Sequence, residues 1–359
     1  SRPVLLVHPG GGIRFDDYGA VPVQRSGPGE HSPAAMSSFS DLPASAPAWL
    51  AANVARMRYD KPTPIQAHAV PLALAHQDLM CCAQTGSGKT AGFLLPLLCA
   101  LGASPPVAPG ASSPCAPSAL VLAPTRELAA QIHLEARRLT FGGPVRSSVV
   151  YGGAEARPQL RELASGCDVL VATPGRLVDF VDSGLVSLAG TKFLVLDEAD
   201  RMLDMGFEPQ VRLIVQQRDM PPKASRQTLL FSATFPDAIQ RLAAEFLRRY
   251  TWVGVGRVGS TVAAITQRFV LAPNDKRRKL ELLVEALGGR PAASDLALVF
   301  VQKKRTAAWV ARELGKAPGG CKAESIHGDR TQSQREAALG AFRAGRAPVL
   351  VATDVAARG

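Results

Sequence analysis

Several things are missing from this sequence. No Cys-x-x-Cys pair occurs, and the six cysteines (Cys81, Cys82, Cys99, Cys115, Cys167 and Cys321) follow no regular spacing. That argues against a disulfide framework and predicts reduced core thiols in an intracellular protein, cytoplasmic or nuclear. Histidines lack partners at metal-binding spacing, so no zinc site is expected, and His327 reads as a structural or coupling residue. Long apolar runs are also lacking. Val4-Leu5-Leu6-Val7 is too short for a signal-peptide core, and the greasiest helix candidate, Phe93 to Leu101, contains Pro96, so no membrane span is expected. Acidic residues are the scarcer charge, 30 against 41 basic, for a net charge of +11. From Arg257 onward there are 18 basic and nine acidic residues, so the surplus belongs mainly to the C-terminal part. A polyanionic partner explains that bias, and a solvated charged face is the plain alternative.

What is present fits about two soluble domains: 359 residues, 47% hydrophobic and 20% charged. Residues 1–37, with Gly10-Gly11-Gly12, Gly27-Pro28-Gly29 and Ser32-Pro33, have little periodicity and read as a flexible or wrapping tail. Short apolar runs then recur between helical segments: Leu79 to Ala83, Leu120 to Ala123, Ser148 to Tyr151, Val169 to Ala172, Phe193 to Asp197, Leu229 to Ala233 and Trp252 to Val255. Strands alternating with helices predict a doubly wound parallel sheet with ligands at the carboxyl ends of its strands. This gives a first α/β domain over 38–255. Residues 102–118, rich in Ala, Pro, Ser and Gly, read as a surface insertion. Residues 256–275 read as a linker and first strand. A second βα series follows over 276–359, with strands at Leu298 to Val301, Ser325 to His327 and Val349 to Ala352. With the chain stopping at Gly359 directly after an element, the second domain is expected to be partial, with unpaired sheet edges.

Two motifs carry the chemistry. Ala83-Gln84-Thr85-Gly86-Ser87-Gly88-Lys89-Thr90 follows the first strand, and Asp197-Glu198-Ala199-Asp200 follows Phe193-Leu194-Val195-Leu196. Gly86 and Gly88 let the backbone curl and aim N–H groups at phosphate oxygens over a helix N-terminus. Lys89 adds a mobile charge for the outer phosphates, and Thr90 a hydroxyl for Mg²⁺. Asp197 supplies the carboxylate that holds the ion through water, and Glu198 a base for an attacking water. The strict P-loop template has glycine where this chain has Ala83. The pairing of loop and acidic element still predicts binding and hydrolysis of ATP.

In order along the chain, these motifs resemble the DEAD-box RNA helicases, from Phe39 to Gly359. The family's own P-loop begins with alanine. Lys61-Pro62-Thr63-Pro64-Ile65-Gln66 resembles its adenine-selecting Q motif, which implies that Tyr59 stacks on the base, that Phe39 is the upstream aromatic, and that Lys61, Gln66, Thr85 and Ser87 join the ATP site. Pro124-Thr125-Arg126-Glu127-Leu128, Gly152-Gly153 and Thr173-Pro174-Gly175-Arg176 resemble the first domain's RNA-backbone elements. For Thr125, Arg126, Thr173 and Arg176 the bland alternative is helix caps and surface charge. Ser232-Ala233-Thr234 resembles the element coupling ATP to RNA, which gives Ser232, Thr234 and Asp200 coupling roles. In the second domain the resemblance assigns Gly328, Gln332, Arg335 and Thr353 to RNA. Ile13 to Tyr18, Val21-Pro22-Val23 and the run Arg201 to Gln210 resemble the Vasa-like branch and its translation-initiation relatives.

Departures are visible too. Arg58 stands where the family usually has glycine, and Gln302-Lys303 where relatives often carry an acidic residue and threonine. The family's final arginine-finger motif lies beyond Gly359. The expectation is therefore two RecA-like domains forming an ATP-dependent RNA helicase that separates short duplexes, or remodels ribonucleoproteins, by domain closure. Residues 1–359 alone are expected to bind ATP and hydrolyse it poorly, because arginine fingers contribute roughly 10³ to 10⁵ in rate. The expected partners are RNA and ribonucleoprotein or translation-initiation proteins, and the expected state is a monomer. An ATP-gated clamp with slow turnover is the alternative, and a DNA helicase the third.

Overall fold

The computed structural model describes residues 21–27, 33–103, 114–256, 266–288, 295–316 and 321–353. The chain divides into two units, Ser1–Thr261 and Val262–Gly359.

In the first unit, eight strands form one sheet: β1 (Val23–Ser26), β2 (Asp78–Cys82), β3 (Ala119–Leu122), β4 (Ser147–Val150), β5 (Val169–Ala172), β6 (Phe193–Leu196), β7 (Gln227–Ser232) and β8 (Tyr250–Val255), in the order β1-β8-β2-β7-β6-β3-β5-β4. Every pairing from β8 to β4 is parallel. The inner strands are buried on both faces, so they read as continuous apolar runs rather than alternating ones. The pleat sorts them strictly by parity. Leu79, Cys81, Val121, Val169, Val171 and Val195 join one core, and Met80, Cys82, Leu120, Leu122, Leu170, Leu194 and Leu196 join the core on the other face.

Two sequence expectations change here. The expected parallel sheet runs from β8 to β4, and at its edge β1 pairs antiparallel with β8, Val23 opposite Val255 and Ser26 opposite Trp252. For the same reason the expected tail of residues 1–37 is not wholly a tail. Its residues 23–26 cap the sheet edge, and Met36 N–H donates to Ala67 O at 2.8 Å. An edge strand needs only one hydrogen-bonded side, which a short polar segment such as Val-Gln-Arg-Ser supplies without an apolar signature. β7 also begins two residues early, at Gln227, which pairs with Phe193 and whose N–H donates to Lys192 O at 2.9 Å, while its side chain donates to Ala73 O and Gln77 O (both 2.8 Å). Residues 1–20 and 28–32 of the tail, 104–113 of the insertion and 257–265 of the linker lie outside the described residues.

The second unit has three described strands, β9 (Ala297–Phe300), β10 (Ala323–Ile326) and β11 (Val349–Ala352), parallel in the order β10-β11-β9. Helix Lys304–Lys316 covers one face through Ala307, Val310 and Leu314, with Leu280, Leu283 and Val284 of helix Lys276–Ala286 against it. Helix Gln332–Arg343 covers the other over Ile326, Leu350 and Ala352. Among the described residues nothing covers the second face of β9, where Leu298 and Phe300 are about half exposed.

Candidate nucleotide and nucleic-acid site

The carboxyl ends of β2 and β6 meet at a cleft of about 430 Å³. After β2 the chain turns through Gly86 (φ +81°) and Gly88 (φ +84°) into helix Lys89–Gly102. Glycine is required at 88 twice over. Its φ is left-handed, and a Cβ there would lie 2.5 Å from Gln66 Nε2. That closeness is used: Gln66 Nε2 donates to Gly88 O at 2.9 Å, while Gln66 Oε1 accepts from Thr63 N–H at 2.9 Å. Thr63 opens helix Pro64–Leu74 with proline at its first turn. One glutamine thus ties a helix start to the phosphate-type loop. Lys89 is buried, and its ammonium donates to Ala83 O at 2.7 Å and Gln84 O at 3.1 Å.

Asp197 and Glu198 close the far wall. Asp197 is buried, and desolvation pushes its carboxyl up to about 6, against the pull of Lys89. Glu198 is also raised by burial, opposed by Arg201, whose Nη1 lies 3.4 Å from Glu198 Oε2. Glu198 has φ +49°, an uncommon conformation for a residue with a Cβ, and it aims the carboxyl into the cleft it lines. A buried carboxylate in the same cleft as the hydroxyl residue Thr90 suits a divalent cation that also takes phosphate and water oxygens. Among the described residues no group of three or more His, Cys, Asp or Glu side chains could hold a metal by itself. The donor set therefore fits an ion bound together with its nucleotide.

Of the residues expected at this site, Tyr59, Lys61, Gln66, Thr85, Gly86, Gly88, Lys89, Thr90, Asp197 and Glu198 line one cleft. Ser87 does not; its hydroxyl turns inward to Gln84 O at 2.7 Å. Tyr59 packs near Phe39, ring centroids 5.8 Å apart, and its hydroxyl donates to Glu135. Arg58, where glycine was expected, keeps the left-handed backbone at φ +55°. The turn is preserved and the strain is accepted. Sequence reasoning missed Leu128, Gln131 and Glu135, which also line the cleft. Their spacing of three and four puts them on one face of helix Arg126–Leu139, a signal that was available.

A second cluster gathers at the ends of β3, β4 and β5. Arg126 Nη1 donates to Gly153 O at 3.3 Å, and a Cβ on Gly153 (φ +68°) would collide with that guanidinium. Gly152 N–H reaches Thr173 Oγ1 at 3.4 Å, and Arg176 Nη2 donates to Ala154 O at 3.1 Å while its guanidinium lies 5.3 Å from the Phe180 ring centre. Thr125 also caps its helix, accepting from Leu128 N–H at 3.2 Å, so the structural role weighed for it is real. Pro124 and Pro174 are buried, and Gly175 sits in the first turn of helix Pro174–Asp182. Between the two clusters, Thr234 Oγ1 donates to Asp200 Oδ2 at 2.8 Å, and Thr234 N–H approaches Ser232 Oγ at 3.4 Å.

In the second unit, Gly328 and Thr353 follow the neighbouring strands β10 and β11, with Thr353 N–H donating to Ile326 O at 3.2 Å. Arg335 is buried, and Gln332 Nε2 donates to Glu336 Oε1 at 3.1 Å. Burial lowers the His327 pKa, with Arg330 adding to the effect, which suits a structural residue. Asp354 to Gly359 lie outside the described residues.

This fold, with a P-loop and an acidic strand end in one cleft, defines the class of P-loop RecA-like helicase proteins. Residues 63–242 match the DEAD/DEAH box helicase family and residues 278–359 the helicase conserved C-terminal domain. The chain is similar to the yeast DEAD-box splicing factor Prp28, at 31% identity over 96% of this chain and 76% of that one, with a TM-score of 0.62. It is similar to the RNA helicase Prp28 from Chaetomium thermophilum, solved bound to ADP, at 36% identity over 94% and 77% of the two chains, TM-score 0.57. A Dbp5 variant from S. cerevisiae, solved bound to Gle1 and IP6, matches at 30% identity over 90% and 76%, TM-score 0.66. The chain belongs to the DEAD-box helicase family, a family of ATP-dependent RNA helicases.

Proposed function

We propose that the protein is an RNA-stimulated ATPase that separates short RNA duplexes or remodels ribonucleoproteins, using ATP to draw its two domains together. The observation that carries this reading is the convergence of Tyr59, Gln66, Lys89, Asp197 and Glu198 on one cleft, with Thr234 bonded to Asp200 beside it.

Each residue has a task that follows from its chemistry. The Gly86–Gly88 turn and Lys89 neutralise phosphate charge, which requires Lys89 to exchange its two carbonyl acceptors for phosphate oxygens. Mg²⁺, when bound, supplies charge neutralisation at the phosphates; Asp197 and Thr90 are the residues that would hold it. Glu198 orients water and accepts its proton, and Gln66 reports an occupied base site to the loop through Gly88 O. The Thr125, Arg126, Gly152, Gly153, Thr173 and Arg176 cluster, with Gly328, Gln332, Arg335 and Thr353 of the second unit, binds phosphates and 2′-hydroxyls without reading bases. Membership of the Vasa-like branch, binding of ribonucleoprotein or translation-initiation partners, a monomeric state and intracellular residence belong to the same proposal. Support for the branch is the run Arg201 to Gln210. The Gle1-bound Dbp5 relative supports protein partners.

Single-turnover separation of a short RNA duplex, with ATP and with a non-hydrolysable analogue, tests the reading. ATP-dependent strand release, absent with DNA of equal sequence, is the expected result. Retention of RNA without strand release would favour an ATP-gated clamp instead.

A further inference from the structure

Among the described residues the Tyr59 ring is the only one lining the cleft, and two contacts hold it. Phe39 flanks it at 5.8 Å with the planes tilted by 36°. At its tip, the phenol O–H donates to the carboxylate of Glu135, a residue 76 positions away on helix Arg126–Leu139. That helix is itself immobilised. Thr125 caps its start, and Ala129, Ile132, Ala136 and Leu139 are buried in the core. Glu135 and Gln131 face the cleft on the same side of the helix. The chain lacks glycine at 58, and Arg58 carries the left-handed turn just before the ring. The ring's orientation is therefore left to contacts made beyond the turn.

We propose that Glu135 is a positioning residue that presets the Tyr59 ring for stacking against adenine and so helps set base selectivity. The inference rests on the ATP-binding reading above and deepens it. A phenol has two soft torsions, and a stacking platform free to rotate loses part of its stacking gain to ordering when a base arrives. A hydrogen bond to an ionised carboxylate is among the stronger neutral–ion contacts, so it fixes those torsions before binding. Burial first and Glu135 second push the Tyr59 pKa up, with Arg138 opposing, so the phenol remains a donor across the working pH range. A residue that only filled space at this point would need no charge, and a carboxylate at the cleft wall has a desolvation cost that the phenol O–H offsets.

The test is equilibrium binding of a fluorescent ADP to the 359-residue chain, with ATP and GTP as competitors, alongside thermal midpoints. Glu135→Ala is expected to weaken ATP about tenfold while leaving GTP nearly unchanged, so the adenine-to-guanine ratio falls; tenfold corresponds to one lost charge-assisted bond of modest net strength. Tyr59→Phe, which removes only the hydroxyl, is expected to weaken ATP by a similar factor. Because both delete the same contact, the double variant should be no weaker than the worse single one. Glu135→Gln, which keeps an acceptor, should retain most of the affinity. Additive losses, unchanged ATP affinity in both single variants, or equal loss for ATP and GTP together with a lowered thermal midpoint would each overturn the proposal. If the unmodified chain failed to bind fluorescent ADP, the ATP-binding reading would fall instead, so the two failures are distinct.

Discussion

At the scale of single residues, charge burial dominates the site. Lys89 and Asp197 are both nearly inaccessible, and desolvation pushes the Asp197 carboxyl up to about 6. Lys89→Ala is expected to weaken ATP binding by tenfold or more, measured by titration calorimetry, because no other buried cation lines the phosphate end among the described residues. Glu198→Gln keeps shape and hydrogen bonding but removes the base. It should lower the turnover rate by roughly 10² to 10⁴ while leaving ATP affinity within a few-fold. Gly88→Ala meets both the positive φ and the 2.5 Å approach to Gln66, so it should impair nucleotide binding more than a surface glycine substitution such as Gly142→Ala. Much of this scale was legible beforehand, since phosphate chemistry permits few residue types. The direction of the Ser87 hydroxyl was not legible, because it is set by the nearest acceptor, here Gln84 O, and not by its place in a motif. The helix-face spacing of Glu135 could have marked it as a cleft neighbour, but its contact with Tyr59, 76 residues distant, is not encoded by any local pattern.

At the scale of elements, the strands declared themselves by apolar runs, and their boundaries shifted by at most two residues, as at Gln227, where a polar residue opens β7. β1 was illegible for the opposite reason, being short, half polar and dependent on β8. Its docking has a pH signature. Arg25 Nε donates to His68 Nδ1 at 2.6 Å, which requires a neutral imidazole, and burial first, then Arg25, lower the His68 pKa below 6.5. The unfolded chain then binds a proton that the folded one refuses. This contribution is complete above about pH 6.5 and is lost as pH falls from there through the lower folded-state value. The thermal midpoint of the unmodified chain should therefore drop between pH 7.5 and 5.5 by more than that of His68→Asn. Equal drops in both proteins would show that this pair does not hold the strand.

At the scale of the whole molecule, the two units differ in how much core each has. The first buries its sheet on both faces, whereas among the described residues the second has three strands and leaves Leu298 and Phe300 about half exposed. Amide hydrogen exchange is expected to be faster throughout β9, β10 and β11 than in β2, β3 and β6, because fewer apolar contacts oppose local opening. Equal protection in both sheets would contradict that. The family was readable from motif order alone. The binding energetics were not, since they depend on how nucleotide and RNA act on one another.

That mutual action is the central claim, and RNA affinity measured with and without a non-hydrolysable ATP analogue tests it most directly. Couplings of this kind span roughly 5- to 150-fold. The predicted result is single-stranded RNA bound at least fivefold more tightly with the analogue present, and by linkage the analogue bound more tightly by the same factor with RNA present. Identical RNA affinity in the two conditions would contradict the account.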